Sequence, residues 1–208
     1  MKIQSARERL LEIVGLSYKI FQARVVNGTI GDFENEASMQ LQFGVILQNV
    51  GRLYEWDAKD KFSIIFEKKF EIEPTFKSPN GIALCDIYVE MRTSEPKDVY
   101  KVGIEVKNFP KIKGETTTDH RIAVLADVQN LEAYYAAGSI NSGFSIVYTT
   151  NTNYSNKNTT SNVNIGQGME VSIGKSGDKE VKLHDPHYMH WNIYHKGTKS
   201  HCFLKVEI

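Results

Sequence analysis

An acid and a base lie two residues apart in the stretch 100–109, which reads YKVGIEVKNF. Apolar residues at every second position predict a β-strand that buries one face against a helix and leaves the other face open. Glu105 and Lys107 share that other face, because successive side chains of a strand point to opposite sides. The strand therefore presents a carboxylate and an ammonium group at one place, a pair suited to binding a cation and stabilising negative charge.

A second acid of this kind occurs in the segment 82–91, IALCDIYVEM. One parity of this segment carries the apolar residues Cys85, Ile87, Val89 and Met91. Asp86 has the opposite parity, on the non-core face. If this segment and 100–109 are neighbouring strands, Asp86 approaches Glu105, and two carboxylates are natural ligands of a hard divalent cation. Lys107 then lies beside the cation, where it orients an attacking water or neutralises charge on a phosphate.

The elements that must position these residues follow an α-α-β-β-β-α-β order. Helices are predicted within 1–23, 32–54 and 127–138, and strands at 62–72, 82–91, 100–109 and 144–150. The first two strands read as an antiparallel hairpin, and the third strand, its helix and the last strand read as a βαβ unit. The fold class is therefore α/β, with a mixed β-sheet flanked by helices.

The chain changes character after residue 150. Asn, Thr and Ser dominate 149–164, which predicts a long loop, and two β-hairpins follow with turns at 175–178 and 196–198.

Composition limits the possible partners and location. The 208 residues carry 25 basic and 25 acidic side chains, so the protein has no net positive charge to attract nucleic acid. Any nucleic-acid binding must therefore come from a local patch of positive charge. No apolar run approaches a membrane span, and charged residues interrupt the first helix as they would not in a signal peptide. We expect a soluble cytoplasmic protein with no membrane partner, whose two cysteines are reduced.

The hairpin with Asp86, the strand GIEVK at 103–107, and the helix and strand that follow resemble the PD-(D/E)xK nuclease superfamily, which includes many restriction endonucleases. The resemblance covers roughly residues 30–150 and implies a restriction-endonuclease-like α-β-β-β-α-β core. It implies that Asp86 is the first motif acid, Glu105 the second and Lys107 the motif lysine. Glu36 in the second helix matches the additional glutamate that many members carry in their first core helix.

The resemblance implies a Mg²⁺-dependent endonuclease that hydrolyses DNA phosphodiester bonds, of type II restriction or host-defence kind, with Mn²⁺ able to substitute. Asp86, Glu105 and Glu36 are then the metal ligands, and Lys107 completes the catalytic set. Double-stranded DNA is the expected partner, and a homodimer supplies the two sites that a double-strand cut needs. Residues 1–150 form the nuclease core with its N-terminal helices. Residues 151–208, which the resemblance does not cover, are expected to form a loop and hairpin extension of the same domain. We predict that Lys157 and Lys175 in this extension contact DNA phosphates.

Two other functions fit the sequence. A nuclease-fold protein that has lost activity and serves as a binding module predicts no metal affinity at Asp86 and Glu105. A zinc-binding interaction protein predicts zinc held by the histidine-rich tail alone. The histidines of that tail are His184, His187, His190, His195 and His201.

Overall fold

The computed structural model describes residues 4–31, 33–109, 117–156 and 163–208, and these ranges contain three α-helices and eight β-strands. The helices are α1 Ala6–Asn27, α2 Glu36–Arg52 and α3 Thr117–Ala136. The strands are β1 Lys61–Glu71, β2 Ile82–Thr93, β3 Asp98–Phe109, β4 Ser142–Thr149, β5 Glu170–Ser176, β6 Lys179–Tyr188, β7 His190–Lys196 and β8 Lys199–Glu207.

Six of the strands form one mixed sheet in the order β1-β2-β3-β4-β8-β7. β3 and β4 are parallel and joined through α3, whereas the other neighbours are antiparallel. The predicted order of the first seven elements, the β1–β2 hairpin and the βαβ unit are confirmed. α3 is longer than predicted, because it begins at Thr117 and not at 127.

The start of α2 is fixed by its N-cap, which makes Glu36 the first helical residue. The Asn35 side chain accepts a hydrogen bond from the Ser38 N–H, and the Ser38 hydroxyl accepts one in return from the Asn35 N–H. Gly44 and Gly51 then let the helix approach β1, since a Cβ at either position would overlap the ring of Phe66 or Phe62.

Both faces of the sheet are covered. α1 and α2 pack on the face that carries Val102, Ile104 and Val106. α3 packs on the opposite face, and the β5–β6 hairpin packs on α3. The expectation of an open face beside Glu105 is therefore wrong: the α3 layer lies over it, and Glu105 has no exposed surface.

The expected parity of β2 also breaks at Asp86. Ile87, Val89 and Met91 belong to the core beneath α1 and α2, as predicted. Cys85 belongs instead to the core beneath α3, together with Tyr88. The alternation of side chains between the two faces of β2 is therefore interrupted at Asp86, where the strand separates from β3.

The two predicted tail hairpins are confirmed as β5–β6 and β7–β8. β8 lies beside β4 in the main sheet, so the tail supplies two of its six strands. Tail side chains also enter the core around α3: Val171, Val181, Leu183, Trp191 and Leu204. Part of the predicted Asn-rich loop, including Lys157, lies outside the described residues. Within the described ranges, no helix is long and apolar enough to span a membrane.

Candidate active site

Asp86 lies where β2 and β3 separate. The paired positions of the two strands end at Ile87 and Ile104. Beyond that point the Asp86 carboxylate replaces the missing strand partner, because its Oδ2 accepts a hydrogen bond of 2.8 Å from the Val106 N–H. Burial raises the pKa of Asp86, although this hydrogen bond and the nearby Lys107 ammonium oppose the rise. The separation of the strands gives the carboxylate a fixed place between them.

β1 is irregular at the same level. The β1–β2 pairing keeps one register on both sides of this point and skips only Glu67, which stands opposite Asp86. Glu67 has φ of 52°, in the left-handed region that non-glycine residues rarely adopt. The Gln40 amide of α2 donates to the Asp86 carbonyl and, over 3.2 Å, to Glu67 Oε1. Such outliers concentrate at functional sites, and this one lies beside the first predicted acid.

Glu105 is a buried carboxylate of which only one oxygen accepts a hydrogen bond. Its Oε1 accepts a hydrogen bond of 3.0 Å from the Tyr134 hydroxyl of α3. Its Oε2 is buried and has no hydrogen-bond donor. Burial raises the pKa of Glu105 well above its usual value, and the neighbouring carboxylates Asp127 and Asp86 raise it further. Ionised Glu105 is thus held in an unfavourable setting that a cation would relieve.

Lys107 connects helices that pack on opposite faces of the sheet. Its Nζ lies 2.9 Å from Glu36 Oε2 at the start of α2 and 3.2 Å from Asp127 Oδ2 in α3. Burial opposes the charge on Lys107, but Asp127 and Glu36 outweigh it and raise the pKa of the lysine. Lys107 is therefore a permanent cation at neutral pH.

Asp127 and Lys77 complete the cluster, and the sequence did not reveal either of them. Asp127 has no exposed surface, and its Oδ1 lies 2.7 Å from Lys77 Nζ. Lys77 lies on the loop between β1 and β2, and its Nζ is 3.8 Å from Glu105 Oε2. Burial opposes its charge, but Asp127 and Glu105 raise the pKa of Lys77 overall.

One signal for Asp127 was present in the sequence. Val124, Val128 and Leu131 are buried around it on α3, so the acid occupies the apolar face of a helix, where an unpaired charge is rare. Tyr134 lies two turns further on the same face. Lys77 had no comparable signal, because nothing in the sequence of a turn indicates which helix it meets.

The structure brings together all four residues predicted for the site. Asp86, Glu105 and Lys107 lie at the separation of β2 and β3, and Glu36 reaches Lys107 from α2. With Asp127 and Lys77, the cluster has four carboxylates and two ammonium groups, a formal excess of two negative charges.

The donor chemistry of the cluster fits a hard divalent cation. Carboxylate oxygens are the ligands such ions prefer, and two buried oxygens here, Glu105 Oε2 and Asp127 Oδ2, have no hydrogen-bond donor. The acids are not gathered into a ready-made cage, since among the described residues no group of three or more His, Cys, Asp and Glu side chains is close enough to hold a metal. Lysine ammonium groups stand among the carboxylates instead.

The histidines of the tail lie along β6, β7 and β8, and His184, through its backbone N–H, shares Glu132 with His187. His187 contacts Glu132 of α3 over 2.9 Å, whereas His201 contacts the Tyr148 hydroxyl. His184 lies beside Asp185, which raises the pKa of that exposed imidazole, and His195 contacts Ser200. The structure does not bring these residues together as one zinc site.

The chain has no significant match to a known family model, to a curated protein or to a solved structure.

Proposed function

We propose that this protein is a Mg²⁺-dependent endonuclease that hydrolyses phosphodiester bonds of double-stranded DNA, with a restriction-endonuclease-like core. The observation that carries the proposal is the convergence of Asp86, Glu105, Lys107 and Glu36 where β2 and β3 separate. The resemblance to PD-(D/E)xK nucleases, which rests on the order of the elements and on the strand 103–107, assigns the motif positions to those same four residues. A surface ion pair would not account for two fully buried carboxylates, Glu105 and Asp127, each with one oxygen that lacks a hydrogen-bond donor.

Asp86, Glu105 and Glu36 would hold the divalent cation. When bound, Mg²⁺, or Mn²⁺ in its place, lowers the pKa of a coordinated water and neutralises charge on a phosphate. The backbone N–H of Val106 fixes the Asp86 carboxylate, and the Tyr134 hydroxyl fixes that of Glu105. Such fixed ligands reduce the reorganisation needed when the substrate arrives.

Lys107 contributes positive charge to the reaction and does not act as a base. Its raised pKa keeps it protonated, so the ammonium group can donate to the attacking water or to a phosphate oxygen that gains charge. Contacts with Glu36 and Asp127 hold its Nζ in place. A positive charge that is already in position stabilises the transition state more than the bound substrate, because negative charge develops as the bond breaks.

Restriction or host defence is the proposed biological role, with a homodimer supplying two sites for the two DNA strands. Cytoplasmic action agrees with the cysteines, since Cys85 and Cys202 are both free and buried.

The test is to incubate the purified chain with supercoiled plasmid, linear duplex and branched DNA, in Mg²⁺, in Mn²⁺ and in EDTA. We expect at least one of these DNAs to be cut in Mg²⁺ and to remain intact in EDTA. Discrete bands would indicate recognition of a sequence or structure, and a smear would indicate non-specific cleavage. Binding of DNA without cleavage in Mg²⁺ or Mn²⁺ would overturn the proposal and favour the inactive binding module.

A further inference from the structure

The Lys77 ammonium covers two buried acids from the solvent side. Its Nζ lies 2.7 Å from Asp127 Oδ1 and 3.8 Å from Glu105 Oε2. Neither acid has exposed surface, whereas 40% of the Lys77 side chain is exposed. A lysine on the β1–β2 loop therefore supplies positive charge at the outer side of the cluster.

The two lysines of the cluster are held very differently. Lys107 is only 11% exposed and contacts both Glu36 and Asp127. Lys77 makes one short contact, with Asp127, and a contact with Glu105 that is too long for a hydrogen bond. Displacing Lys77 into water therefore breaks one short ion pair, whereas displacing Lys107 would disrupt two.

The loop that carries Lys77 has its own attachments to α3. The Thr75 hydroxyl donates to Asn130 Oδ1, and the Phe76 N–H donates over 2.8 Å to Gln129 Oε1. These contacts hold the loop backbone independently of the lysine. The Lys77 side chain can therefore leave the acids while the loop stays in place.

The acids that Lys77 covers are better suited to a divalent cation than to one ammonium group. Glu105 Oε2 has no hydrogen-bond donor, because Lys77 Nζ stops 3.8 Å away. Asp127 Oδ2 also lacks a donor, since Lys107 is close enough for an ion pair but misaligned for a hydrogen bond. A divalent cation satisfies carboxylate oxygens by direct contact at about 2.0–2.6 Å.

We propose that Lys77 and a divalent cation compete for the Glu105–Asp127 carboxylate pair, which makes Asp127 a further ligand of the cation. This proposal rests on the proposed function in one respect only, namely that the site binds a divalent cation. Lys77 neutralises the pair while the cation is absent and swings into solvent when the cation binds. Cation affinity is then set in part by a residue that does not itself bind the metal.

The test is a calorimetric titration of Mn²⁺ into the full-length wild type and the variants Lys77→Met and Lys77→Arg. Lys69→Met is the matched control, because Lys69 is an exposed lysine of β1. We expect Lys77→Met to bind Mn²⁺ at least about tenfold more tightly than the wild type, since a nearby like charge is removed. Lys77→Arg, which keeps the charge, and Lys69→Met should stay near the wild-type affinity.

A fourth variant, Asp127→Asn, should bind Mn²⁺ at least about tenfold more weakly than the wild type, and its melting temperature identifies any loss of folding. Unchanged or weaker Mn²⁺ binding by folded Lys77→Met overturns the competition, whatever Asp127→Asn does. Failure of the nuclease proposal gives a different result: the wild type then cuts no DNA, while the effect of Lys77→Met on Mn²⁺ binding can still be observed.

Discussion

Two buried ionic clusters lie along the β1–β2 hairpin, one just before β1 and one beside Asp86, and their carboxylates differ in hydrogen bonding. Asp60, just before β1, pairs with Arg9 Nη1 over 2.6 Å. It also accepts hydrogen bonds from the N–H and hydroxyl of Ser94 and from the Asp57 N–H. In the cluster beside Asp86, Glu105 has one hydrogen-bond donor, Tyr134, and one oxygen without any.

The pKa values separate the two clusters in the same way. Burial alone would raise the pKa of Asp60, but the hydrogen bonds from Ser94, Arg9 and Asp57 outweigh it and lower the pKa from 3.8 to about 2. For Glu105, burial and the neighbouring acids both raise the pKa. The Asp60 carboxylate is therefore satisfied by neighbours within the fold, whereas Glu105 keeps a buried oxygen without a hydrogen-bond donor, as expected if a ligand is to meet it.

The largest effect on stability should follow from breaking the satisfied cluster. Asp60→Ala leaves the Arg9 guanidinium buried without its carboxylate, which costs roughly 3–5 kcal/mol for a buried pair. Urea unfolding of Asp60→Ala beside Asp98→Asn measures the loss, because Asp98 is a partly exposed acid of β3. A loss below about 1 kcal/mol would mean that the Arg9–Asp60 pair does not hold these elements together.

The same cluster should make stability depend on pH in acid. The pKa of Asp60 is lowered in the folded state, so its contribution is complete above pH 3.8 and is lost as pH falls towards about 2. The difference in unfolding free energy between wild type and Asp60→Ala should therefore narrow over that window. A difference that stays constant from pH 5 to pH 2 would contradict the assignment.

The next largest effect concerns Lys107. Lys107→Met should lower the single-turnover cleavage rate by on the order of 10², the scale of one lost transition-state stabiliser. DNA affinity in Ca²⁺ should stay near that of the wild type, because the charge acts mainly in the transition state. Lys69→Met is the control for loss of a lysine. Equal losses of affinity and rate would identify Lys107 as a simple phosphate anchor.

Glu105→Gln should move stability in the opposite direction from Asp60→Ala. The raised pKa means that folding disfavours the ionised form, so the metal-free protein loses stability as pH rises above 4.5. A neutral amide removes that cost and should stabilise the protein in EDTA by ~1 kcal/mol at pH 8, with a smaller gain near pH 5. A destabilised Glu105→Gln would show that the Glu105 charge supports the fold.

The smallest effect concerns the tail. Lys175 is exposed, and its Nζ lies 3.6 Å from Glu180 Oε2 across the β5–β6 hairpin. If its ammonium contacts a DNA phosphate, Lys175→Ala should make the salt dependence of duplex binding shallower, by about 0.9 in log Kd against log salt, without changing the melting temperature. An unchanged slope would direct the search for the DNA-binding surface to α2 and the β1–β2 loop.

The order of the first seven elements was accessible from sequence because it depends on local periodicity. Glu36 came only from the resemblance to PD-(D/E)xK nucleases, and Asp86 came from a strand alternation that breaks at that residue. Alternation identified β3, and it placed Glu105 and Lys107 on one face. The burial of that face was not accessible, because α3 begins at Thr117 and places Asp127 and Tyr134 over the strand. The break of parity at Asp86 depends on how two strands separate, which is a tertiary property that alternation along one strand does not encode.

The measurement that tests the nuclease assignment most directly is cleavage of plasmid DNA by Asp86→Asn and Glu105→Gln beside the wild type. Asp98→Asn is the control, since Asp98 lies on β3 seven residues from Glu105, about 23 Å along the strand. We expect cleavage by wild type and Asp98→Asn in Mg²⁺ or Mn²⁺, and a loss on the order of 10³ in both site variants while they remain folded. Cleavage by either folded site variant at the wild-type rate would contradict the assignment.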